Sequence, residues 1–125
     1  MKEFMLLIRN EADAKTNLSQ DKHLEFIKKC ESYITTLKKM EKLIAAQPLV
    51  REGVIITDTK EGWKESPLQA GNMVQVGYYH ILAENMNEAI AIAKENPEFE
   101  YVPNATIEVR PVKVKEEKTS YVYPK

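Results

Sequence analysis

The sequence has little cysteine, little glycine and almost no net charge, and each shortage excludes a class of protein. One cysteine, Cys30, cannot form an internal disulfide, and no Cys/His spacing resembles a zinc site. Four glycines and six prolines among 125 residues are too few for a low-complexity chain. Eighteen basic and nineteen acidic side chains give a formal net charge of -1, which disfavours nucleic acid and anionic membranes as partners.

Long apolar runs and cofactor motifs are missing as well. The apolar runs at residues 5–8 and 54–56 fall far short of the roughly 20 residues that cross a bilayer. Residues 1–9 carry no small-residue cleavage pattern, so we interpret them as a strand rather than a leader. No glycine-rich phosphate loop, nucleophile elbow or helically spaced histidine pair points to a cofactor or a metal. We therefore expect a protein of the reducing cytoplasm that carries no cofactor.

The first half of the chain predicts a strand followed by a long helix. A nearly continuous apolar run at residues 4–8 is typical of a central strand covered on both faces. Ser19 is a suitable N-cap, because its hydroxyl can accept from a free N–H group of the first helical turn. Apolar side chains then recur at three- and four-residue steps, namely Leu24, Ile27, Cys30, Ile34, Leu37 and Met40. This stripe predicts an amphipathic helix that packs on a sheet.

The second half predicts several strands and a second helix. Strands are predicted at residues 43–46, 54–58, 73–83 and 106–114, with an extended segment at 63–67. Asn85 can cap the helix, Glu88 can complete a capping box, and Pro97 ends the helix. The sequence thus predicts one domain at residues 1–114, followed by a C-terminal tail at residues 115–125 of which the last eight residues are loose.

The order of these elements predicts the fold class. Strand, helix, strands, helix and strand match an α+β sandwich of the ferredoxin-like, split βαβ type. Both helices would cover one face of the sheet. The other face of the central strands still carries large side chains, drawn from Leu6, Leu7, Tyr78, Tyr79 and Ile81. A second subunit would cover them, and although a heterodimer satisfies this count equally well, we favour a homodimer.

Four segments form a pattern that runs through most of the chain. They are KEFMLLI at residues 2–8, GYYHI at 77–81, NEA at 87–89 and IEVRPV at 107–112. In this order and spacing they resemble the YCII-related proteins, in particular the branch named after its DGPF motif. The resemblance implies a dimeric α+β barrel.

The DGPF motif itself is degenerate in this sequence. Glu65-Ser66-Pro67-Leu68 stands where the family carries Asp-Gly-Pro-Phe, so that only the proline is retained. Ser66 lacks the conformational freedom of glycine, and Glu65 moves any carboxylate by one methylene. If this loop carries chemistry in the family, the present sequence departs from it. Some family members resemble enzymes and some accompany transcription factors, so the resemblance predicts fold better than function.

Two histidines are the candidates for proton transfer, since imidazole ionises near neutral pH. By the resemblance, His23 corresponds to a histidine on the first helix that is the family's proposed catalytic group. The alternative, which we favour, is a solvent-exposed histidine in a first helical turn. Strand alternation predicts that His80 shares one face with Tyr78 and Val76. There His80 is either a second catalytic candidate or a hydrogen-bonded packing residue.

A charged pair on the last strand is the candidate anion site. Glu108 and Arg110 share one strand face, and Arg9, at the end of the first strand, can join them. A guanidinium at this place suits a carboxylate or phosphate, with Tyr79 as a further ligand-binding candidate. The alternative, which we favour, is an ion pair at a sheet edge or a dimer seam.

Two functional hypotheses from different classes remain, because fold does not determine function. In the first, the cleft between sheet and helices binds or converts a compact, aromatic or anionic metabolite, with His23 or His80 moving a proton and Arg110 orienting the molecule. In the second, the protein is a non-catalytic dimeric accessory or regulatory protein whose clefts are filled by side chains. Trp63 is either an anchor at a subunit contact, which we favour, or a lid over a pocket.

Overall fold

Residues 1–11, 18–68 and 73–125 are described by a computed structural model of the chain. The elements, in chain order, are β1 (Lys2–Glu11), α1 (Gln20–Lys39), β2 (Leu43–Pro48), β3 (Val54–Thr59), β4 (Gly62–Pro67), β5 (Met73–Ala83), α2 (Met86–Lys94), α3 (Glu98–Tyr101) and β6 (Thr106–Pro111). The fold is therefore α+β, as the element pattern predicted. Among the described residues, none of the helices has the length and apolar character needed to cross a membrane.

The two long helices begin at the predicted caps. The Ser19 hydroxyl accepts from the Lys22 backbone N–H at 3.2 Å, and the Asn85 side chain accepts from the Glu88 N–H at 2.9 Å. Each bond satisfies an N–H group that has no partner inside its helix. α1 also ends with Lys38 and Lys39 in its last turn, where positive charge interacts favourably with the negative end of the helix dipole.

The strands form a four-stranded sheet and a separate two-stranded ribbon. The sheet has the order β2-β5-β1-β6, and every neighbouring pair is antiparallel. This order, with α1 and α2 inserted between strands, is compatible with a ferredoxin-like arrangement. β3 and β4 pair only with each other among the described strands, and we call this hairpin the ribbon. Of the four residues at the position of the DGPF motif, Glu65, Ser66 and Pro67 belong to strand β4 and Leu68 follows it.

Side chains of β1 alternate between the two faces of the sheet. Phe4, Leu6 and Ile8 are buried beneath the helices, together with the core residues Leu37, Val76, Tyr79, Ile81, Ala83, Ala89 and Ala93. The intervening positions lie on the face that the helices leave uncovered, which we call the open face. Its half-buried members are Glu3, Met5, Leu7, Ala45, Tyr78, His80 and Leu82. Its exposed members are Arg9, Gln47, Glu108 and Arg110.

A β-bulge breaks the alternation of β5. Gly77 pairs with Ile8, whereas the next β1 residue, Arg9, pairs with Gln75. Val76 is the extra residue between them, and it turns into the helix-side core. The prediction that Val76 shares a face with His80 is therefore wrong. Side chains alternate strictly between the two faces only where neither strand has an extra residue.

The buried stripe of α1 differs from the predicted one. Phe26 and Leu37 are buried, while Leu24 and Met40 are 53% and 49% exposed. Leu24 lies two positions before Phe26, and at about 100° per residue it points away from the core that Phe26 enters. Phe26 packs its ring against Tyr101 at a centroid distance of 5.4 Å, which docks α3 on α1.

The C-terminal segment, predicted as a tail, contains a small hairpin. β6 ends at Pro111 rather than at residue 114. Beyond it, Lys115 and Val122 form an antiparallel bridge, and the Glu116 N–H donates to the Tyr121 carbonyl at 2.8 Å. This small hairpin brings the rings of Tyr121 and Tyr123 into edge contact, with centroids 5.2 Å apart.

Candidate functional site

A cavity of about 260 Å3 lies between α1 and the helix-covered face of the sheet. α1, the sheet, and the segment that follows α2 each contribute to its wall. The lining residues are Ile8, His23, Phe26, Ile27, Cys30, Glu31, Ile34, Ala46, Gln47, Pro48, Val76, Gly77, Tyr79, Asn96 and Glu98. We call it the α1–sheet cavity, and its walls are mainly apolar.

The β5 bulge shapes the sheet side of the α1–sheet cavity. Gly77 follows the bulged Val76, and a side chain on Gly77 would place its Cβ 3.1 Å from the Gln47 carbonyl oxygen and 3.4 Å from the Pro48 Cα. Both are backbone atoms of β2. Glycine therefore allows the end of β2 to lie close to β5 at this edge of the cavity.

A buried carboxamide in the cavity wall has an unused hydrogen-bond donor. Asn96 is 3% exposed, and its Oδ1 accepts from the Glu98 backbone N–H at 2.8 Å. That bond fixes which way the carboxamide points. Its Nδ2 has no hydrogen-bond partner within the part of the chain that the structure describes. A buried donor without a partner destabilises a protein by about 1–3 kcal/mol, so such a group calls for a physical reason.

Tyr79 supplies a second polar group to the α1–sheet cavity. Burial raises the pKa of its hydroxyl well above the usual range, and the Cys30 thiol and the Glu98 carboxylate raise it further. The Asn96 carboxamide acts in the opposite sense and lowers the Tyr79 pKa. The Tyr79 ring is held by an edge-to-face contact with Tyr33, at a centroid distance of 5.4 Å. Tyr79 is therefore a neutral phenol in a fixed position.

A polar network supports the Glu98 side of the site. Asn10 Nδ2 donates to Glu98 Oε1 at 2.5 Å, and Asn10 Oδ1 accepts from Arg51 Nη2 at 2.8 Å. Arg51 Nη1 also donates to the Glu11 carbonyl oxygen at 2.8 Å. Asn10 and Glu98 are both buried, and each hydrogen bond offsets part of the penalty for removing a polar group from water. The network links β1 to the loop before β3 and to α3.

His23 is brought to this site, while His80 is not. His23 is an exposed residue of the first turn of α1, and its side chain lines the α1–sheet cavity. His80 lies on the open face, where its Nε2 is 2.7 Å from Glu3 Oε1 and the two side chains are 12% and 14% exposed. The two histidines are therefore separated by the sheet.

The four predicted ligand-binding residues are divided between the two faces of the sheet. Arg9, Glu108 and Arg110 belong to the open face, whereas Tyr79 faces the helices. Arg110 Nη1 is 3.6 Å from Glu108 Oε2, and these side chains are 67% and 47% exposed. An exposed pair of this kind is typical of a surface ion pair with a contribution of about 0–1 kcal/mol.

No family model matches the chain, and no curated protein does. The site is therefore interpreted from the chemistry of its own residues. Within residues 1–11, 18–68 and 73–125, no cluster of three or more His, Cys, Asp or Glu side chains is arranged to hold a metal ion. The arrangement at the α1–sheet cavity instead suits a compact organic molecule, with a phenol and a carboxamide as hydrogen-bonding groups.

Sequence reasoning missed Asn96, Glu98, Asn10 and Arg51. One signal was present, since Asn10 continues the buried β1 positions Phe4, Leu6 and Ile8 in steps of two. A polar residue in that series must be hydrogen-bonded when buried. The burial of Asn96 and Glu98 depends on how α3 docks on α1, which leaves no periodic signal in a helix of four residues.

A wider groove of about 910 Å3 runs between α1 and the α2–α3 segment. Two of the lysines that line it form ion pairs, since Lys29 Nζ is 2.7 Å from Glu100 Oε1 and Lys42 Nζ is 2.6 Å from Glu88 Oε1. These pairs leave fewer polar groups to recognise a ligand. The α1–sheet cavity is therefore the stronger candidate.

Proposed function

We propose that this protein is a YCII-related homodimer that binds a compact small molecule in the α1–sheet cavity of each subunit. The observation that carries the binding function is the Asn96 Nδ2 group. It is buried, its orientation is fixed, and it has no partner among the described residues. A bound molecule that accepts a hydrogen bond would remove the penalty of that donor.

The position of His23 supports a chemical role for the same cavity. Its imidazole is at the exposed edge of the α1–sheet cavity, so it is accessible to solvent and to a bound molecule alike. A side chain in this position can exchange a proton with bulk water. We propose that His23, rather than His80, is the proton-transfer residue if the ligand is converted.

The open face supports the homodimer. Met5, Leu7, Tyr78 and Leu82 form its apolar centre, and they are half-buried rather than covered. Helices that lie on one face of a sheet cannot cover the other, and an apolar face of this kind is typical of an interface. We propose that two open faces pack across a two-fold axis, which would form a dimeric α+β barrel with the two cavities outside the interface.

The ribbon favours a second candidate function, in which the protein is an accessory protein that acts through contacts. The register places Val54, Ile56, Trp63 and Pro67 on one face of the ribbon, and Trp63 is 75% exposed. Exposed apolar side chains on a free-standing hairpin suit contact with another protein. This reading requires no ligand in the α1–sheet cavity.

Native mass spectrometry of the purified protein tests both parts of the main proposal. We expect a dimer that carries a bound small molecule. Ala46 lines the cavity, whereas its neighbour Ala45 belongs to the open face, so Ala46→Leu should remove the adduct and keep the dimer. A clean dimer that Ala46→Leu leaves unchanged would favour the accessory function.

A pair of surface variants tests the interface separately. Leu7→Lys introduces a charge at the centre of the open face and should produce a monomer, because a buried unpaired charge strongly disfavours association. Thr35→Lys adds the same charge to an exposed position of α1 and should leave the dimer intact. A wild-type monomer at all protein concentrations, measured by light scattering, would contradict the homodimer.

A further inference from the structure

Building on the proposed binding function, we infer that the α1–sheet cavity selects an uncharged molecule with one compact apolar or aromatic body and a hydrogen-bond acceptor that Asn96 Nδ2 binds. The acceptor requirement follows from the carboxamide geometry. Because Oδ1 already accepts from the Glu98 N–H, the group that remains is a donor. A ligand carbonyl, ether or hydroxyl oxygen would complete it.

The direction of this donor is indicated by Tyr79. Asn96 lowers the Tyr79 pKa, which is the effect of an N–H donor directed at the phenol oxygen, since such a donor stabilises the phenolate. Asn96 Nδ2 and the Tyr79 hydroxyl therefore lie at the same end of the α1–sheet cavity, although they form no well-aligned hydrogen bond with each other. An acceptor atom placed there can bind both groups.

The remaining wall determines the body of the ligand. Ile8, Phe26, Ile34 and Val76 line the cavity with aliphatic and aromatic surface. A volume of about 260 Å3 limits the ligand to one ring with a small substituent, since a dry apolar cavity of about 150 Å3 holds benzene. The ligand is therefore smaller than most nucleotides or coenzymes.

The charges of the wall exclude an anion. Of the described residues that line the α1–sheet cavity, none is lysine or arginine, whereas Glu31 and Glu98 are both carboxylic. His23 lies at the exposed edge, where solvent screens charge. The Glu98 carboxylate already disfavours negative charge on Tyr79 and would act on a ligand anion in the same way. Arg110, which the sequence offered as the anion-binding group, is on the open face. The same carboxylates would attract a cation, but an ammonium group has no acceptor atom, so it would leave the buried Asn96 Nδ2 donor unpaired.

Four probes of matched size test this selectivity: acetophenone, ethylbenzene, benzoate and benzylamine. Each is titrated into the full chain, with dissociation constants taken from NMR shifts of the backbone amides of the lining residues Cys30, Ile34 and Val76, which every variant retains. We expect acetophenone to bind about ten-fold more tightly than ethylbenzene, because its carbonyl oxygen forms one hydrogen bond to a buried donor and ethylbenzene forms none. Benzoate and benzylamine should both bind more weakly than acetophenone.

Two variants identify the group responsible. Asn96→Asp retains an oxygen for the Glu98 N–H and removes the donor, so the preference for acetophenone over ethylbenzene should disappear. Ala46→Leu fills the cavity and should abolish binding of all four probes, while Ala45→Leu on the open face should not. If Asn96→Asp does not fold, the order of the four affinities in the wild-type chain still decides the selectivity.

The outcomes separate this inference from the proposed function. If benzoate or benzylamine binds best, or if acetophenone and ethylbenzene bind equally, the cavity binds small molecules but the selectivity is overturned. If none of the four probes shifts the backbone amides of the lining residues in the wild-type chain, the cavity does not bind small molecules of this size. In that case both the selectivity and the binding function are overturned.

Discussion

The two faces of the four-stranded sheet carry apolar side chains in alternation, but only one face buries them. On the helix-covered face, Leu6 and Ile81 are fully buried. On the open face, Leu7 of β1 and Tyr78 of β5 lie directly opposite each other in the register. Both side chains nevertheless remain half-buried. The difference teaches that the chain's own helices complete one core and leave the apolar side chains of the second face only half-buried.

The largest effect is expected from leucine truncation on the helix-covered face. Leu6→Ala should lower the free energy of unfolding by about 2–5 kcal/mol, because it leaves a cavity in a close-packed core. Leu7→Ala, one residue along on the open face, is the matched control. Denaturant unfolding at several protein concentrations measures both.

Concentration dependence makes this comparison sharper. The loss caused by Leu6→Ala should be similar at all protein concentrations, since it acts within one subunit. The loss caused by Leu7→Ala should grow with concentration if the open face is an interface, because association stabilises the wild-type chain by mass action. Equal, concentration-independent losses for the two variants would contradict a functional difference between the faces.

The edge of the α1–sheet cavity offers the next effect. Gly77→Ala should destabilise the fold by about 1–3 kcal/mol, because the added Cβ meets backbone atoms of β2 that cannot rotate away. Gly53→Ala is the matched control, since its Cβ would meet only the end of the flexible Leu68 side chain, at 3.3 Å. Thermal unfolding of both variants measures the difference. A Gly77→Ala protein as stable as the Gly53→Ala protein would show that β2 can move without penalty.

Most of the fold could be predicted from the sequence because its signals are local and periodic. Ser19 and Asn85 cap helices where their chemistry predicts, and the alternation along β1 indicates its two faces. The signals fail where a contact is irregular. Val76 changes face at a bulge, and Phe26 rather than Leu24 enters the core because its ring meets Tyr101, which is distant in sequence.

The candidate site was only half predictable for the same reason. The resemblance to a family motif made His23 a candidate for proton transfer, and His23 does line the cavity. The polar groups Asn96 and Tyr79, which line the cavity, come from separate elements that meet only when α2 and α3 dock. Charge patterning made Arg110 a candidate as well, and it lies on the open face rather than at the cavity, because strand alternation tells which residues share a face but not which face the helices cover.

Alkaline pH should destabilise the helix-covered face specifically. Burial raises the pKa of Tyr33 and of Tyr79 in the folded state, so both keep their protons when the unfolded chain begins to lose them near pH 10. The stability that they contribute is therefore fully present below about pH 10 and is lost as pH rises toward the folded-state pKa, by at most about 1.4 kcal/mol per pH unit for each tyrosine.

Denaturant unfolding between pH 8 and pH 11 measures this loss. Tyr33→Phe and Tyr79→Phe should each reduce the steepness of the decline, because phenylalanine has no proton to lose. Tyrosine absorbance at 295 nm should show that the two groups titrate together with unfolding. A decline in stability that neither substitution changes would place its origin elsewhere in the chain.

The smallest effect is expected from the two histidines, whose positions on opposite sides of the sheet give opposite expectations. His23→Ala should change the free energy of unfolding by no more than about 0.5 kcal/mol, since the side chain that is replaced is exposed. His80→Ala should cost more, because Glu3 would lose its 2.7 Å partner at a position where its side chain is 14% exposed. Thermal unfolding ranks the two variants. If His23 has a chemical role, its loss removes proton transfer without altering stability, whereas a lower melting temperature for His23→Ala would make this residue a structural part of α1.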